Sequence, residues 1–428
     1  METCMFEFDG EAIAAAAAAS PGFMLRARFW TADVVFRMGD DAYRLEMRDG
    51  QPARFARDAS EAPSEIRIGA PAEAWEKLLM AVPPPPYHDP LYASYRVGFR
   101  VEGDVHREVA PYWAAIQEFI GVLRRARSGA APAQPTEEVE REFDAAVGRY
   151  MYVRLGGVQH RIYFEEAGDG PVPLILQHTA SSDGRQWRHL LEDPDLQRMF
   201  RMIAYDLPFH GKSLPPTSIP WWDQEYRLTK ARLIETVQAI CDRLKLDRPV
   251  YMGCSVGGHL APDLALACPE RFRAIVGINS GLGAQGPNKP SVFEQSYKNP
   301  RVGDVWKGAV NLGLTAPTSP EAYRREVAWT YSQSVPEAMP GDIHYYAHDH
   351  DLTEDEARGI DTSKTPLYLL TCEYDPLAHE DGTARLAQAV KGAKFQILPG
   401  LGHFGPAEDP AAFKAAVMPV FEEISRLP

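Results

Sequence analysis

One hexapeptide constrains this chain more than any other stretch: Gly253-Cys254-Ser255-Val256-Gly257-Gly258, set between the apolar run Val250-Tyr251-Met252 and a helical pattern from His259 to Cys268. A serine between glycines at a strand-to-helix step is the G-x-S-x-G pattern in the context that gives it meaning. The turn has to be sharp and strained, and side chains at the flanking positions would collide with neighbouring backbone. Such a turn pushes the Ser255 hydroxyl out at the carboxyl end of a sheet. The following helix places the positive end of its dipole beneath any developing oxyanion. Ser255 is therefore the candidate nucleophile.

The sequence around it supplies the sheet. Short apolar runs at 174–177, 202–205, 250–252, 274–278, 367–370 and 395–398 alternate with helical patterns. A parallel sheet buried on both faces requires that rhythm. Two further strands, 150–154 and 159–164, are separated by the Gly156-Gly157 turn. The style differs before the stretch Ser128-Gly129-Ala130-Ala131-Pro132-Ala133-Gln134-Pro135, which has no apolar periodicity and reads as a linker. We expect an N-terminal α+β domain over 1–128, a linker over 129–147 and an α/β domain over 148–428. At 428 residues the chain is too long for one ordinary core.

The N-terminal stretch reads as strands at 25–29, 33–38, 42–47 and 65–68, a helix at 71–80 with Pro71 in its first turn, and a helix at 110–127 with Trp113, Ile116, Ile120 and Leu123 on one face. The strand meander, the Ile66-Arg67-Ile68-Gly69-Ala70-Pro71 step and the Val101-Glu102-Gly103-Asp104 element before a last helix resemble sterol-carrier-protein-2-like domains. That resemblance implies an apolar tunnel for lipids or acyl chains. An α+β domain that serves dimerisation or shields the site fits the same pattern. The alanine run Ala14–Ala19 follows four acidic residues with no Lys or Arg before Arg26, opposite to a secretory signal, and reads as a short helix.

Over about 148–428 the sequence resembles the α/β-hydrolase family, whose chain order is nucleophile, acid, histidine. Leu369-Leu370-Thr371-Cys372-Glu373-Tyr374-Asp375 looks like the family's penultimate strand and acid, which implies Asp375 in that role, with Glu373 as the competitor. Leu398-Pro399-Gly400-Leu401-Gly402-His403 looks like the last strand and histidine loop, which implies His403 as the base. The imidazole would take the serine proton, and the carboxylate would fix its tautomer. The oxyanion donors implied are the amides of Val256 and Ala180; Thr179 stands where the family usually has glycine and could add its hydroxyl. Asp206-Leu207-Pro208-Phe209-His210-Gly211-Lys212-Ser213 resembles a turn that is structural in the family. An insertion at about 281–360 is the expected cap, with Phe293, Tyr297, Trp306, Trp329, Tyr331, Met339, Tyr345 and Tyr346 as its aromatic and apolar stock. His178, Trp306, Trp329 and Tyr331 are the pocket candidates.

Serine at the turn points to acyl transfer to water rather than the alkyl-ester chemistry of an aspartate nucleophile. The reading is a carboxylesterase acting on a small, fairly apolar ester or acyl compound. A C–C bond hydrolase of β-diketone ring-fission products is the alternative, for which pocket arginines (Arg185, Arg324 or Arg325) would serve a dianionic substrate. A catalytically idle lipid-binding or scaffolding protein is the alternative from another class. No cofactor or metal is expected: His344, His348 and His350 share a stretch but lack metallohydrolase spacing. The net charge of -14 argues against nucleic acid as a partner, no run is long enough to span a bilayer, and a homodimer is a further expectation. Five scattered cysteines suit reduced thiols and a cytoplasmic setting.

Overall fold

The computed structural model describes residues 6–58, 60, 66–131, 134–136, 140–283, 292–377 and 380–428. Cys4, Glu65, Pro132, Ala133 and the side chain of Phe293 lie outside the described residues.

The first sheet belongs to the N-terminal part. Helices α1 (Gly10–Ala18) and α2 (Pro21–Arg26) precede strands β1 (Ala32–Met38), β2 (Asp41–Arg48), β3 (Gln51–Arg57) and β4 (Ile66–Ala70). Helices α3 (Ala72–Leu78) and α4 (Pro90–Ala93), strand β5 (Arg100–Glu102) and helix α5 (Ala110–Ser128) complete it. The sheet order is β3-β2-β1-β4-β5, with β1 and β4 parallel. Its interior is filled by rings in mutual contact, Phe36 stacking on Phe119 at 5.4 Å and Phe55 meeting Phe119 at 5.3 Å. The expected strand at 25–29 is overturned. Pro21 sits in the first turn of α2 and pre-sets its φ, so the chain is helical to Arg26 and then turns through Phe29 at φ 68°. The sequence reading also passed over β3, whose Pro52 and two arginines hide an edge strand.

The second sheet has eight strands in the order β13-β12-β11-β10-β8-β9-β7-β6. Strands β6 (Val147–Leu155), β7 (Val158–Ala167) and β8 (Val172–Gln177) lead to helices α6 (Arg188–Leu191) and α7 (Pro194–Met199) and strand β9 (Phe200–Tyr205). Helix α8 (Lys230–Arg243), strand β10 (Val250–Cys254), helix α9 (Val256–Ala267) and strand β11 (Ala274–Ile278) form the centre. Then come helices α10 (Val292–Lys298), α11 (Asp304–Leu312), α12 (Glu321–Ser332), α13 (Ala338–His348) and α14 (Glu354–Ala357). Strand β12 (Leu367–Cys372), helix α15 (Glu380–Ala389), strand β13 (Lys394–Leu398) and helices α16 (Gly405–Glu408) and α17 (Pro410–Ser425) close the chain. From β8 to β13 the strands pair in parallel, and β8, β10, β11 and β12 are buried almost throughout, as helices on both faces demand.

The two sheets belong to parts that are packed together. Gln117 of α5 donates to the Ala309 carbonyl of α11 at 3.0 Å, Glu118 pairs with Arg325 of α12 at 2.7 Å, and Arg96 donates to the Pro376 carbonyl at 3.2 Å. Asp89 lies so close to Gly313 that a Cβ there would stand 2.7 Å from its carboxylate.

Candidate active site

Ser255 occupies the step from β10 to α9 at φ 56° and ψ -109°, a conformation that costs a non-glycine residue on the order of 1–3 kcal/mol. The surroundings enforce it. Ser255 N–H donates to the Ile278 carbonyl at 2.9 Å, and the Tyr251 hydroxyl holds the Gly257 carbonyl at 2.8 Å. A Cβ on Gly253 would meet the Gly257 carbonyl oxygen at 2.4 Å, and one on Gly258 would meet that of Ile278 at 2.0 Å. The glycines are therefore steric requirements of the turn. Val256 opens α9, so its amide is one of the first-turn N–H groups that a helix leaves unsatisfied.

His403 lies on the loop between β13 and α16, and its Nδ1 stands 2.7 Å from Asp375 Oδ2. The other Asp375 oxygen accepts from Leu377 N–H at 2.8 Å. Glu373, the competing acid, points elsewhere and accepts from Gly400 N–H at 2.8 Å. The backbone of His403 is gripped on both sides. Its N–H donates to the Leu314 carbonyl at 3.0 Å, while its carbonyl accepts from Asn279 Nδ2 at 3.1 Å and from the Cys254 thiol at 3.4 Å. Glu408 completes the collar. Its carboxylate accepts from Gly402 N–H, from Ala316 N–H and Ser319 Oγ at 3.1 Å each, and from Phe404 N–H at 3.4 Å. The amides on either side of His403 thus end on one buried carboxylate. Burial pushes that carboxyl up to about 7 against the pull of those donors.

The loop after β8 carries the other candidate donors. Thr179 N–H is spent on Gln186 Oε1 at 2.8 Å, and Thr179 Oγ1 meets the Tyr331 hydroxyl at 2.5 Å. Since Tyr331 donates to the Ala180 carbonyl at 3.1 Å, the Thr179 hydroxyl is the donor in that pair. Ala180 N–H engages no other group among the described residues. His178 accepts from Leu207 N–H at 3.0 Å through Nε2 and donates from Nδ1 to the Thr179 carbonyl at 2.7 Å, which fixes a neutral tautomer. Burial and the neighbouring His210 lower its pKa to about 4. His178 therefore shapes the loop.

Helix α13 supplies residues that the sequence reading either left among the insertion's aromatics or missed. Asp342 and Tyr346 stand one turn apart on one face. Asp342 Oδ2 accepts from Ser181 N–H at 2.7 Å and from His210 Nε2 at 2.8 Å, and Oδ1 accepts from the Tyr226 hydroxyl at 3.2 Å. His210 Nδ1 faces the Pro208 carbonyl at 3.0 Å, so both ring nitrogens donate. Burial opposes that charge, but Asp342 outweighs it and the His210 pKa is raised. Tyr346 places its hydroxyl 2.8 Å from Ser255 Oγ. Burial pushes this phenol up, so it stays protonated. Beside it, His259 sets its ring edge-on to Tyr346 at 5.0 Å and is held neutral by burial.

None of the remaining candidates hydrogen-bonds to Ser255 among the described residues. Trp329 is 66% exposed, so it lines no enclosed pocket, and Trp306 is buried within α11. His350 is committed to Asp263 at 2.9 Å and to the Gly281 carbonyl at 3.0 Å, while His344 faces the Leu228 carbonyl at 3.3 Å. Arg185 is held by Asp183 at 2.6 Å and by Gln333 at 2.5 Å, and Arg325 by Glu118 and Glu321. The turn at Asp206 is structural: its carboxylate accepts from Gly184 and Lys212 amides at 2.8 and 2.7 Å.

A parallel sheet crossed at β10 by a strained serine turn, with histidine and acid on the loops after β13 and β12, defines a class, and comparison with known proteins agrees. The chain belongs to the alpha/beta hydrolase fold family, which matches residues 172–410. It is similar to a 2-hydroxy-6-oxononadienedioate/2-hydroxy-6-oxononatrienedioate hydrolase from Paraburkholderia phymatum, 24% identical over 64% of this chain and 96% of that protein. It is also 31% identical to the dihydrolipoyllysine-residue acetyltransferase component of an acetoin cleaving system from Pseudomonas putida, over 39% of this chain and half of that one. Among solved structures, an esterase from Thermogutta terrifontis superposes with a TM-score of 0.56 at 17% identity, covering 65% of this chain and 99% of its own. An enol-lactonase from Burkholderia xenovorans gives 0.53 at 20% identity, over 64% and 100%.

Proposed function

We propose that this enzyme is a serine hydrolase that works through an acyl-enzyme on a small, fairly apolar carboxylic ester. Ser255 attacks, His403 takes its proton and Asp375 holds the imidazole with Nδ1–H toward the carboxylate, leaving Nε2 to face the serine. Val256 and Ala180 amides stabilise the oxyanion. The observation that carries the reading is the 2.7 Å Asp375–His403 contact on a loop clamped from every side, in a chain whose serine sits in the strained turn. The group that meets Ser255 Oγ is a phenol, Tyr346, and the Asp342 carboxylate nearby is spent on Ser181, His210 and Tyr226, which suits a neutral substrate.

The C–C bond hydrolase reading is supported by the named activity of the Paraburkholderia relative, aligned over 96% of its length. A dianionic substrate calls for arginine near the serine, yet Arg185 and Arg325 are engaged by Asp183 and Glu118, and Arg324 opens on a cleft whose lining does not include Ser255. For the N-terminal domain, we read a fixed support beside the histidine and acid loops rather than a lipid tunnel, because aromatic rings fill its interior. A panel of p-nitrophenyl esters of increasing acyl length, run beside a ring-fission diketone, tests the choice. Turnover of short esters with no diketone cleavage is expected; preference for the diketone would reverse the assignment.

A further inference from the structure

A cleft of about 630 Å³ runs between the N-terminal domain and the helices above the large sheet. Helix α5 brings Gln117 and Arg124 to it, the loop before α4 brings His88 and Asp89, and α12 brings Arg324. The polar groups here are unevenly matched. Arg124 donates from Nε to the Leu78 carbonyl at 3.0 Å and from Nη2 to the His88 carbonyl at 3.4 Å. It has no carboxylate within 4 Å among the described residues, and its strongest charged neighbour is a second cation, Arg324. Burial and that like charge pull Arg124 down to about 10. Arg324 reaches Thr315 Oγ1 through Nε and Glu321 through Nη1, each at 2.9 Å, and its Nη2 meets no protein group among the described residues.

The histidine points the same way. His88 is 9% exposed and lines the cleft, yet neither ring nitrogen makes a hydrogen bond of normal geometry, and its contact with the Gly313 backbone is a loose one. Burial and the two arginines hold this imidazole neutral, lowering its pKa to about 3, so it keeps one N–H to offer. The nearest acid does not fill the gap. Asp89 spends its oxygens on Leu91 and Tyr92 amides and on Gln117 Nε2 at 2.7 Å. Glu118 pairs with Arg325, and Glu321 is shared between Arg325 and Arg324 Nη1. The wall thus holds an excess of donors and positive charge over acceptors: the charge of Asp89 reaches Arg124 but makes no bond to it, and a buried cation without a bonded anion is an expensive arrangement.

We propose that this cleft is a binding site for an oxyanion, a carboxylate or phosphate group, held between the guanidiniums of Arg124 and Arg324 with His88 as a third donor. Planar guanidiniums match such groups bidentately, and charge-assisted bonds are the strong ones. The site is distinct from Ser255 but touches the frame of its partners. His88 packs edge-on against Tyr374, the neighbour of Asp375, at 5.5 Å. Gly313 and Leu312 line the cleft one step before Leu314, whose carbonyl holds His403. An anion here ties the N-terminal domain to the wall behind the histidine and acid.

Isothermal titration of the full chain with inorganic phosphate and, separately, with succinate, in buffers matched for ionic strength with chloride, tests this without reference to hydrolysis. Saturable one-to-one binding is expected for at least one of the two; phosphate alone would mark a phosphorylated ligand, and succinate alone a carboxylate. Arg124→Gln and Arg324→Gln should each weaken it about 10- to 100-fold, Arg324→Lys should weaken it less, and Arg248→Gln on the remote surface should leave it unchanged. Thermal unfolding confirms that each variant is folded. No saturable binding of either anion, or equal binding by the folded Arg124→Gln and Arg324→Gln proteins, overturns the proposal.

Discussion

Glu408 touches neither Ser255 nor Asp375, yet the structure gives it control of the loop between them. Truncation in Glu408→Ala would strip the acceptor from three buried amides and from Ser319. At about 1–3 kcal/mol for each orphaned buried donor, the loss runs to roughly 3–6 kcal/mol even with some relaxation, a large part of the ~5–15 kcal/mol that holds a domain folded. That variant is expected to accumulate poorly. Glu408→Gln is the informative change, because it keeps the volume and one oxygen for Gly402, Ala316 and Ser319 but turns an N–H₂ toward the Phe404 amide. It should lose about 1–2 kcal/mol of stability. The loop shift should lower kcat about 10- to 100-fold with KM nearly unchanged. The pH dependence supplies an independent check. Folding raises this carboxyl from 4.5 to about 7. The folded protein therefore keeps a proton that the unfolded chain has lost between about pH 4.5 and 7. This contribution to stability is full below about pH 4.5 and is lost as pH rises through 7. Glutamine cannot titrate, so the advantage of about 1–2 kcal/mol that wild type holds over Glu408→Gln at pH 4.5 should fall by on the order of 3 kcal/mol in urea unfolding and change sign by pH 8. Parallel pH profiles, or an unchanged kcat, would refute the reasoning.

Ser255→Ala should abolish ester hydrolysis, by on the order of 10⁴ or more, while circular dichroism stays native; retention of most activity would unseat the nucleophile. Asp375→Asn should lose most of the rate because the histidine then favours the wrong tautomer, whereas Glu373→Gln, which keeps an acceptor for Gly400, should stay within a few-fold. The reverse order would exchange the two acids. Tyr346→Phe removes a hydroxyl 2.8 Å from Ser255 Oγ and should lower kcat about 10-fold or more without comparable change in KM; an unaltered kcat would reduce Tyr346 to packing. A chain beginning at residue 140 forfeits the Gln117–Ala309, Glu118–Arg325 and Arg96–Pro376 contacts, and should unfold at lower temperature than the full protein.

The parts of this molecule legible in advance were those written locally. A strand-to-helix serine turn needs glycines at set offsets, so Gly253, Gly257 and Gly258 announced it, and a parallel sheet buried on both faces leaves runs such as Leu174–Gln177 that no other element explains as well. Asp375 and His403 were legible through resemblance to a family, because each follows a recognisable strand. What stayed hidden was tertiary. Asp342 and Tyr346 lie on a helix whose sequence, Ala338 to His348, carries little amphipathic pattern, and only the fold shows that its polar face meets Ser181, His210 and Ser255. Glu408 reads as an ordinary acid near a helix end until four donors from two segments converge on it. The misread strand at 25–29 was a local error: Ser20-Pro21 is a helix start, and the apolar residues after it drew attention to alternation instead.

The distribution of these hidden residues says where this enzyme invests its rigidity. Across its backbone and flanking amides, His403 is tied to β11 through Asn279, to β10 through Cys254, to the segment after α11 through Leu314 and to α16 through Glu408. The loop after β8 is tied through Ser181 to Asp342, which also holds His210, and Ser255 is tied to Tyr346, both partners lying on α13. The insertion between β11 and β12 is therefore more than a cover, since it supplies backbone and side-chain partners to the His403 loop, the loop after β8 and Ser255. The N-terminal domain in turn braces α11 and α12 through Gln117 and Glu118. Positioning within about 0.5 Å is what separates a working constellation from an idle one. A mutation in α5 that loosens α11 should then reach His403 through Leu314, although α5 contains none of the reacting groups.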